Sequence, residues 1–146
     1  SRTQAVYPDM EVEILVSDDL PTLQADPTRI AQVMDNLLTN ASKYAPGAPI
    51  AVRSERYDNV VEIGVEDQGP GIPPEHVPHL FERFYRVPEQ TSHVRGTGLG
   101  LYICRKIIEA HSGEIGVESK EGEGTRIYFT LPVEIMEPIP EGEHDR

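Results

Sequence analysis

Asp26-Pro27-Thr28-Arg29-Ile30-Ala31-Gln32-Val33-Met34-Asp35-Asn36-Leu37-Leu38-Thr39-Asn40-Ala41-Ser42-Lys43-Tyr44 is the stretch on which the reading of the whole chain turns. Asp26 followed by Pro27 is a helix start: a capping carboxylate, then proline at the first helical position, where its missing N–H costs nothing. Ile30, Val33, Met34, Leu37, Leu38 and Ala41 then recur at the spacing of one buried helical face. Asn36, Asn40, Lys43 and Tyr44 form a second stripe, which at ~100° per residue lies beside the buried face and not opposite it. Amides and a lysine bordering a core suit the wall of a cleft. They also suit a solvated face, and the stripe by itself does not choose.

Composition narrows the function. The chain has 146 residues, 38% hydrophobic and 26% charged, which predicts one soluble globular domain able to bury a core. No apolar run reaches the ~18 residues of a membrane span, and no signal-peptide pattern opens the chain. Ser1-Arg2-Thr3-Gln4 reads as a cut inside a longer protein. The net charge of −12 argues against nucleic acid or an anionic membrane as partner. It leaves room for an anionic small molecule if cations such as Lys43, Arg83, Arg86 and Arg95 are gathered locally. The single cysteine, Cys104, excludes an internal disulfide framework, and its place in an apolar helix predicts buried packing.

Outward from the opening helix, Val12, Ile14 and Val16 alternate with polar residues as in a half-buried strand, and Thr22 to Ala25 reads as a short strand. The helix ends at Ala45-Pro46-Gly47. Residues 49–57 and 60–66 form a hairpin across Asp58-Asn59, with Val61, Ile63 and Val65 inward. From Asp67 to Gly96 the pattern dissolves among prolines and glycines, with one short amphipathic piece over Glu75 to Tyr85; such a segment inside a compact domain is commonly functional. A second helix runs from about Leu99 to His111, stopping at Ser112-Gly113, and strands over 114–119 and 125–133 flank a glycine-bearing turn. From Glu134 the acidic tail reads as flexible. The expected fold is α+β: a mixed, mostly antiparallel sheet of about five strands with about three helices on one face.

Three features could carry chemistry. Asp67-Gln68-Gly69-Pro70-Gly71-Ile72 follows a strand, where a carboxylate can accept from an exocyclic amine while glycines let backbone approach a flat ligand; a simple turn has the same pattern. Gly96-Thr97-Gly98-Leu99-Gly100 opens a helix, whose N–H groups suit phosphate, although it is neither G-x-G-x-x-G nor a Walker motif. Arg83, Arg86 and Arg95 lie between the two, and guanidinium groups suit phosphate.

Taken together, these parts resemble the catalytic, ATP-binding domain of sensor histidine kinases. Asn36 to Tyr44 is similar to their N box, Asp67 to Ile72 to the G1 box and Phe81-Glu82-Arg83-Phe84-Tyr85-Arg86 to the F box. Arg95 to Leu101 is similar to the G2 box, and Gly122-Glu123-Gly124-Thr125 to the last glycine motif. The resemblance covers about Val12 to Pro132, with the boxes in family order. It implies the Bergerat fold shared with gyrase, Hsp90 and MutL, and a two-component kinase domain that binds ATP with Mg²⁺. By that resemblance Asp67 receives the adenine amino group, and Gly69, Gly71 and Ile72 shape the base pocket. Asn40, with Asn36, holds Mg²⁺. Lys43, Arg86 and the backbone of Gly98 and Gly100 bind phosphates, and Tyr44 lines the nucleotide. Gly96, Thr97, Leu99, Leu101 and Thr125 complete the site, and about 71–96 forms a lid. Where ATPase relatives carry a water-activating glutamate, Asn36 is an amide and cannot act as a general base.

None of His76, His79, His93, His111 and His144 stands in the family's phosphoacceptor pattern. The acceptor is therefore expected on a dimerising domain of the same parent protein, upstream of Ser1. His76 and His79, spaced i, i+3, read as solvated lid residues before a metal site. The parent is expected to be a membrane-anchored sensor passing phosphate to a response regulator, with this domain cytoplasmic and monomeric when isolated. An ATPase clamp, an anti-sigma-type serine kinase and a non-catalytic nucleotide-binding interaction domain are the rivals.

Overall fold

The computed structural model describes residues 12–16, 23–45, 47–85 and 100–133. Five strands, β1 (Val12–Val16), β2 (Ile50–Tyr57), β3 (Val60–Asp67), β4 (Ile115–Lys120) and β5 (Gly124–Pro132), form one sheet in the order β1-β2-β3-β5-β4. β1 runs parallel to β2 and every other pairing is antiparallel, so the sheet is mixed as expected. Two α-helices, α1 (Pro27–Tyr44) and α2 (Gly100–Ala110), cover one face. The third expected helix is a 3₁₀ turn, Pro74–His79, with Pro78 inside it. Repeated prolines remove the donors a longer α-helix needs, and the tighter 3₁₀ form tolerates that in short pieces.

α1 begins as its sequence dictates: Asp26 Oδ1 accepts the N–H groups of Thr28 (3.0 Å) and Arg29 (3.3 Å). Gly47 at φ +77° carries the exit. The strand expected at Thr22–Ala25 is absent from the described part, residues 23–25. The next backbone donor, Asp26 N–H, goes to a side chain, His111 Nε2 at 3.1 Å, instead of to a neighbouring strand. His111 also engages the Ile107 carbonyl through Nδ1 (2.9 Å), which requires the tautomer carrying its proton there. It thereby ties the end of α2 to the start of α1. Ser112 takes the left-handed turn after α2 (φ 65°), and Gly113 follows because a Cβ there would meet the Thr130 carbonyl at 1.9 Å.

The core lies between sheet and helices. Val33, Leu37, Leu38 and Ala41 of α1 and Cys104, Ile107 and Ile108 of α2 meet Val52, Val65, Ile127, Phe129 and Leu131. At roughly 1.5–3 kcal/mol per fully buried large aliphatic or aromatic side chain, this layer dominates the stability of the fold. The sheet's other face is polar. There Arg126 is bonded to Glu62 and lies 3.5 Å from Glu66 and 3.3 Å from Glu118, with its guanidinium 4.8 Å from the Tyr128 ring centre. Burial alone would lower the Arg126 pKa, and the three glutamates outweigh it and hold the guanidinium charged.

Candidate functional site

The site gathers on the helix-covered face, at the end of the sheet where β3 stops. Asp67 is the last residue of β3 and stands opposite Thr125 of β5 in register. Its Oδ1 accepts the Gly69 N–H at 2.9 Å, and its carboxylate also accepts the Thr125 N–H. Burial nevertheless pushes its pKa above the ordinary carboxylate value, the two N–H bonds pulling the other way. A carboxylate offers about four lone-pair positions, so two amide donors leave acceptor capacity for a third.

The loop after Asp67 is fitted at main-chain level. A Cβ on Gly69 would come within 2.6 Å of the Ala45 Cβ, so this loop packs on the C-terminal end of α1. Gly71 has φ +79°, and a Cβ there would lie 2.4 Å from the Lys120 carbonyl. Gly124 has φ +104° and faces the Asp67 carbonyl equally closely, at 2.2 Å. Gly122 N–H donates to Pro70 O (2.7 Å). Gly71 and Gly124 therefore answer to a close backbone approach, and Gly69 to the Ala45 side chain.

One residue here escapes the motif reading. Ser119 Oγ accepts the Ile72 N–H at 2.7 Å and lies 3.2 Å from Gly124 O and 3.0 Å from Thr125 Oγ1. It buttons the glycine loop to the β4–β5 hairpin. Counting the hairpin register across Lys120–Gly124 would have placed Ser119 opposite Thr125, and so beside Asp67.

On α1, Asn36 and Asn40 are half-buried and Lys43 is exposed, the border position expected of the stripe. Tyr44 is the last helical residue. α2 runs antiparallel to α1: a Cβ on Gly100 would stand 4.0 Å from Asn36 Cγ, Cys104 lies beside Val33 and Asn36, and His111 reaches Asp26. Thus the end of the G2-like stretch and the first asparagine meet. Leu101 is half-buried and packs against both the main core and a small cluster built on Ile72 and Leu80. Arg86, Arg95, Gly96, Thr97, Gly98 and Leu99, with the expected tail, lie outside the described residues. Among those described, a hollow of about 340 Å³ at the strand ends is lined by Asp67, Ser119 and Thr125 together with Glu66, Glu118 and Arg126 of the polar face, and another of about 630 Å³ borders Asn36. Neither hollow is lined by both Asn36 and Asp67.

His76 and His79 are engaged, contrary to the solvated expectation. His76 Nδ1 is bonded to the Tyr85 hydroxyl, and His79 Nδ1 lies 2.8 Å from Glu82 Oε2 with its ring stacked on Tyr85. No group of three or more His, Cys, Asp or Glu among the described residues is arranged to hold a metal. The amides of Asn36 and Asn40 are neutral oxygen donors, which would suit a magnesium ion whose other ligands are phosphate oxygens and waters.

An acceptor carboxylate at a strand end, glycine-shaped backbone beside it and an amide-bearing helix on the same face of a mixed sheet are the features of an ATP-binding fold of the kinase and ATPase clamp type. The family model "Histidine kinase-, DNA gyrase B-, and HSP90-like ATPase" matches residues 25–135, and the chain belongs to that family, on its sensor histidine kinase side. The sensor protein kinase WalK of Staphylococcus saprophyticus is 45% identical over 118 residues, 78% of this chain and 19% of that protein. The chain thus spans about a fifth of the curated relative it matches. The catalytic domain of histidine kinase ThkA is 34% identical with a TM-score of 0.72, covering 85% of this chain and 80% of that one. Full-length ShkA in complex with AMPPNP is 31% identical with a TM-score of 0.75, over 84% and 25%. Among the described residues no helix is long and apolar enough to cross a membrane.

Proposed function

We propose that this domain binds Mg-ATP between α1 and the Asp67 end of β3, and donates the γ-phosphoryl group to a histidine on a separate dimerisation domain of its parent protein. The observation carrying this reading is Asp67, held by the amides of Gly69 and Thr125 on the face that α1 and α2 share. Its remaining acceptor capacity suits the adenine amino group, with Gly69, Gly71, Ile72 and Thr125 shaping the base pocket. Asn36 and Asn40 offer amide oxygens toward Mg²⁺. Lys43, with Arg86 and the backbone of Gly96 to Gly100, suits the phosphates, and Tyr44 and Leu101 complete the wall. The metal, when bound, supplies charge neutralisation at the phosphate oxygens. The chain's own contribution is positioning and cation placement, which is most of what phosphoryl transfer needs from a protein. The nucleotide analogue carried by ShkA supports the choice of ligand.

The WalK likeness supports a parent that is a sensor kinase; its anchoring in a membrane and its passing of phosphate to a response regulator are part of the proposal. Asn36 argues against the ATPase clamp, since an amide cannot take a proton from water. Calorimetry with ATP should show binding that strengthens with Mg²⁺, while incubation with γ-labelled ATP should leave the chain unlabelled. Label appearing on this chain would contradict transfer to a separate histidine, and steady phosphate release would return the ATPase reading.

A further inference from the structure

We infer that Ser119 is a positioning residue for the base: it aims the Thr125 hydroxyl at a ring nitrogen that neighbours the adenine amino group. This rests on the nucleotide-binding reading above. Register places Asp67 opposite Thr125 and Thr125 opposite Ser119, so the three form one row across β3, β5 and β4. Directly opposite residues of paired strands project to the same face. The next row on that face is Val65, Ile127 and Val117, which belongs to the core or packs against it. The helix-covered face therefore changes from apolar to polar in a single step, and the polar row lines the hollow of about 340 Å³ at the strand ends.

Ser119 Oγ accepts the Ile72 N–H at 2.7 Å, which leaves it one acceptor position and its own proton. Thr125 Oγ1 lies 3.0 Å away and Gly124 O 3.2 Å. Two polarities satisfy this set. In one, Thr125 donates to Ser119 and Ser119 to the Gly124 carbonyl. In the other, Ser119 donates to Thr125, whose own proton is released toward a ligand. The second uses the shorter contact, which falls within the ordinary O–H···O range. A ligand acceptor selects it by two hydroxyl rotations, and no proton changes owner. Ionised Asp67 can only accept, so a base edge that suits this row offers a donor to Asp67 and an acceptor beside it to Thr125. Adenine carries that pair: an amino group flanked by ring nitrogens, each with a lone pair. Ser119 also holds the stiff χ1 of Thr125 in the rotamer that turns Oγ1, and not the methyl, into the row.

The test is calorimetry of this chain with Mg-ATP and with 1-deaza-ATP and 7-deaza-ATP, in which one or the other ring nitrogen beside the amino group is replaced by C–H. The wild-type chain should prefer ATP over one of the two analogues by roughly three- to tenfold, the worth of one neutral hydrogen bond. Ser119→Ala also leaves the Ile72 N–H without its partner, which weakens all three nucleotides alike, so the quantity read is the preference and not the affinity. That preference should be lost in Ser119→Ala and restored in Ser119→Thr, which keeps a hydroxyl. A wild-type chain that binds all three equally overturns the proposal, as does a preference undiminished in Ser119→Ala. If Ser119→Ala does not fold, Thr125→Val takes its place: the same preference should vanish, and its survival overturns the proposal. If the wild-type chain binds no ATP, the functional reading fails and takes this inference with it. Binding of ATP without the predicted pattern sinks the inference alone.

Discussion

The proposed floor of the nucleotide site and the segment that follows it in the chain are built on opposite principles. From Asp67 to Ile72 almost every constraint involves the main chain: sheet pairing to Thr125, Gly69 N–H on the Asp67 carboxylate, Gly122 N–H on Pro70, and Ile72 N–H on Ser119. From Pro73 to Tyr85 the main chain bonds locally, as in His76 N–H on Pro73 O and Glu82 N–H on His79 O, and side chains pack the segment onto the body. The 3₁₀ turn buries nothing of its own, Leu80 and Ile72 are the buried pair beneath it, and Phe84 stands 58% exposed at φ 68°. Main-chain pairing in a sheet opens only with the sheet, while a two-residue apolar cluster can open by itself. The strand-end loop is thus fixed by the fold, and the segment proposed to cover it is held by contacts that can be released separately.

Breaking the floor should have the largest effect. Gly124→Ala drives a Cβ against the Asp67 carbonyl at φ +104°. Overpacking costs about 1–3 kcal/mol and a left-handed non-glycine about 1–2 kcal/mol. Urea unfolding should therefore show a loss of about 2–5 kcal/mol; a change below 1 kcal/mol would mean that the floor is not rigid. Next comes Asp67→Ala, which leaves the fold standing and removes the acceptor. A hydrogen bond to a charged group is worth about 1.5–3 kcal/mol, or roughly 10- to 100-fold in affinity. Unchanged ATP affinity would remove Asp67 from the base pocket.

On the cover, Leu80→Ala should cost about 2 kcal/mol locally, the low end for a leucine truncation. Amide exchange across 73–85 should speed up while the urea midpoint of the sheet barely moves; a full global loss would join the two regions into one unit. The smallest effect is a pH slope. Because burial holds the Asp67 pKa above the usual carboxylate value, its proton returns at higher pH than for an exposed aspartate. The acceptor form is the ionised one, so ATP affinity should fall on acidification, beginning above the ordinary carboxylate range and by less than about tenfold per pH unit. Asp67→Asn should flatten that slope, and an identical slope in the variant would assign it to another group.

Much of this was legible before any coordinate. The Asp26-Pro27 cap and the 3.6-residue rhythm give α1 the bounds it has, and the period-two runs place all five strands within a residue or two. What pattern alone does not carry is who meets whom. Nothing local announces that His111 takes the Asp26 N–H, which is why an extended stretch before α1 reads as a strand and is not one. Ser119 gains its place beside Asp67 from hairpin register, which is set by tertiary contact. The prolines at 73, 74 and 78 signalled irregularity without specifying a 3₁₀ turn bonded through His76 and His79.

The pairing of Asp67 with Thr125 also has a kinetic meaning. Those two residues, and the asparagines of α1 before them, come from stretches widely separated along the chain, and β5 reaches Asp67 only after α2 and β4 have been laid down. Loop closure of that span is slow compared with local helix formation. α1, with its cap and amide stripe, can form early, yet its site has no floor until β5 docks beside β3. Competence to hold a nucleotide is therefore acquired at the end of folding, and a bound nucleotide would report a finished sheet in place of a collapsed chain.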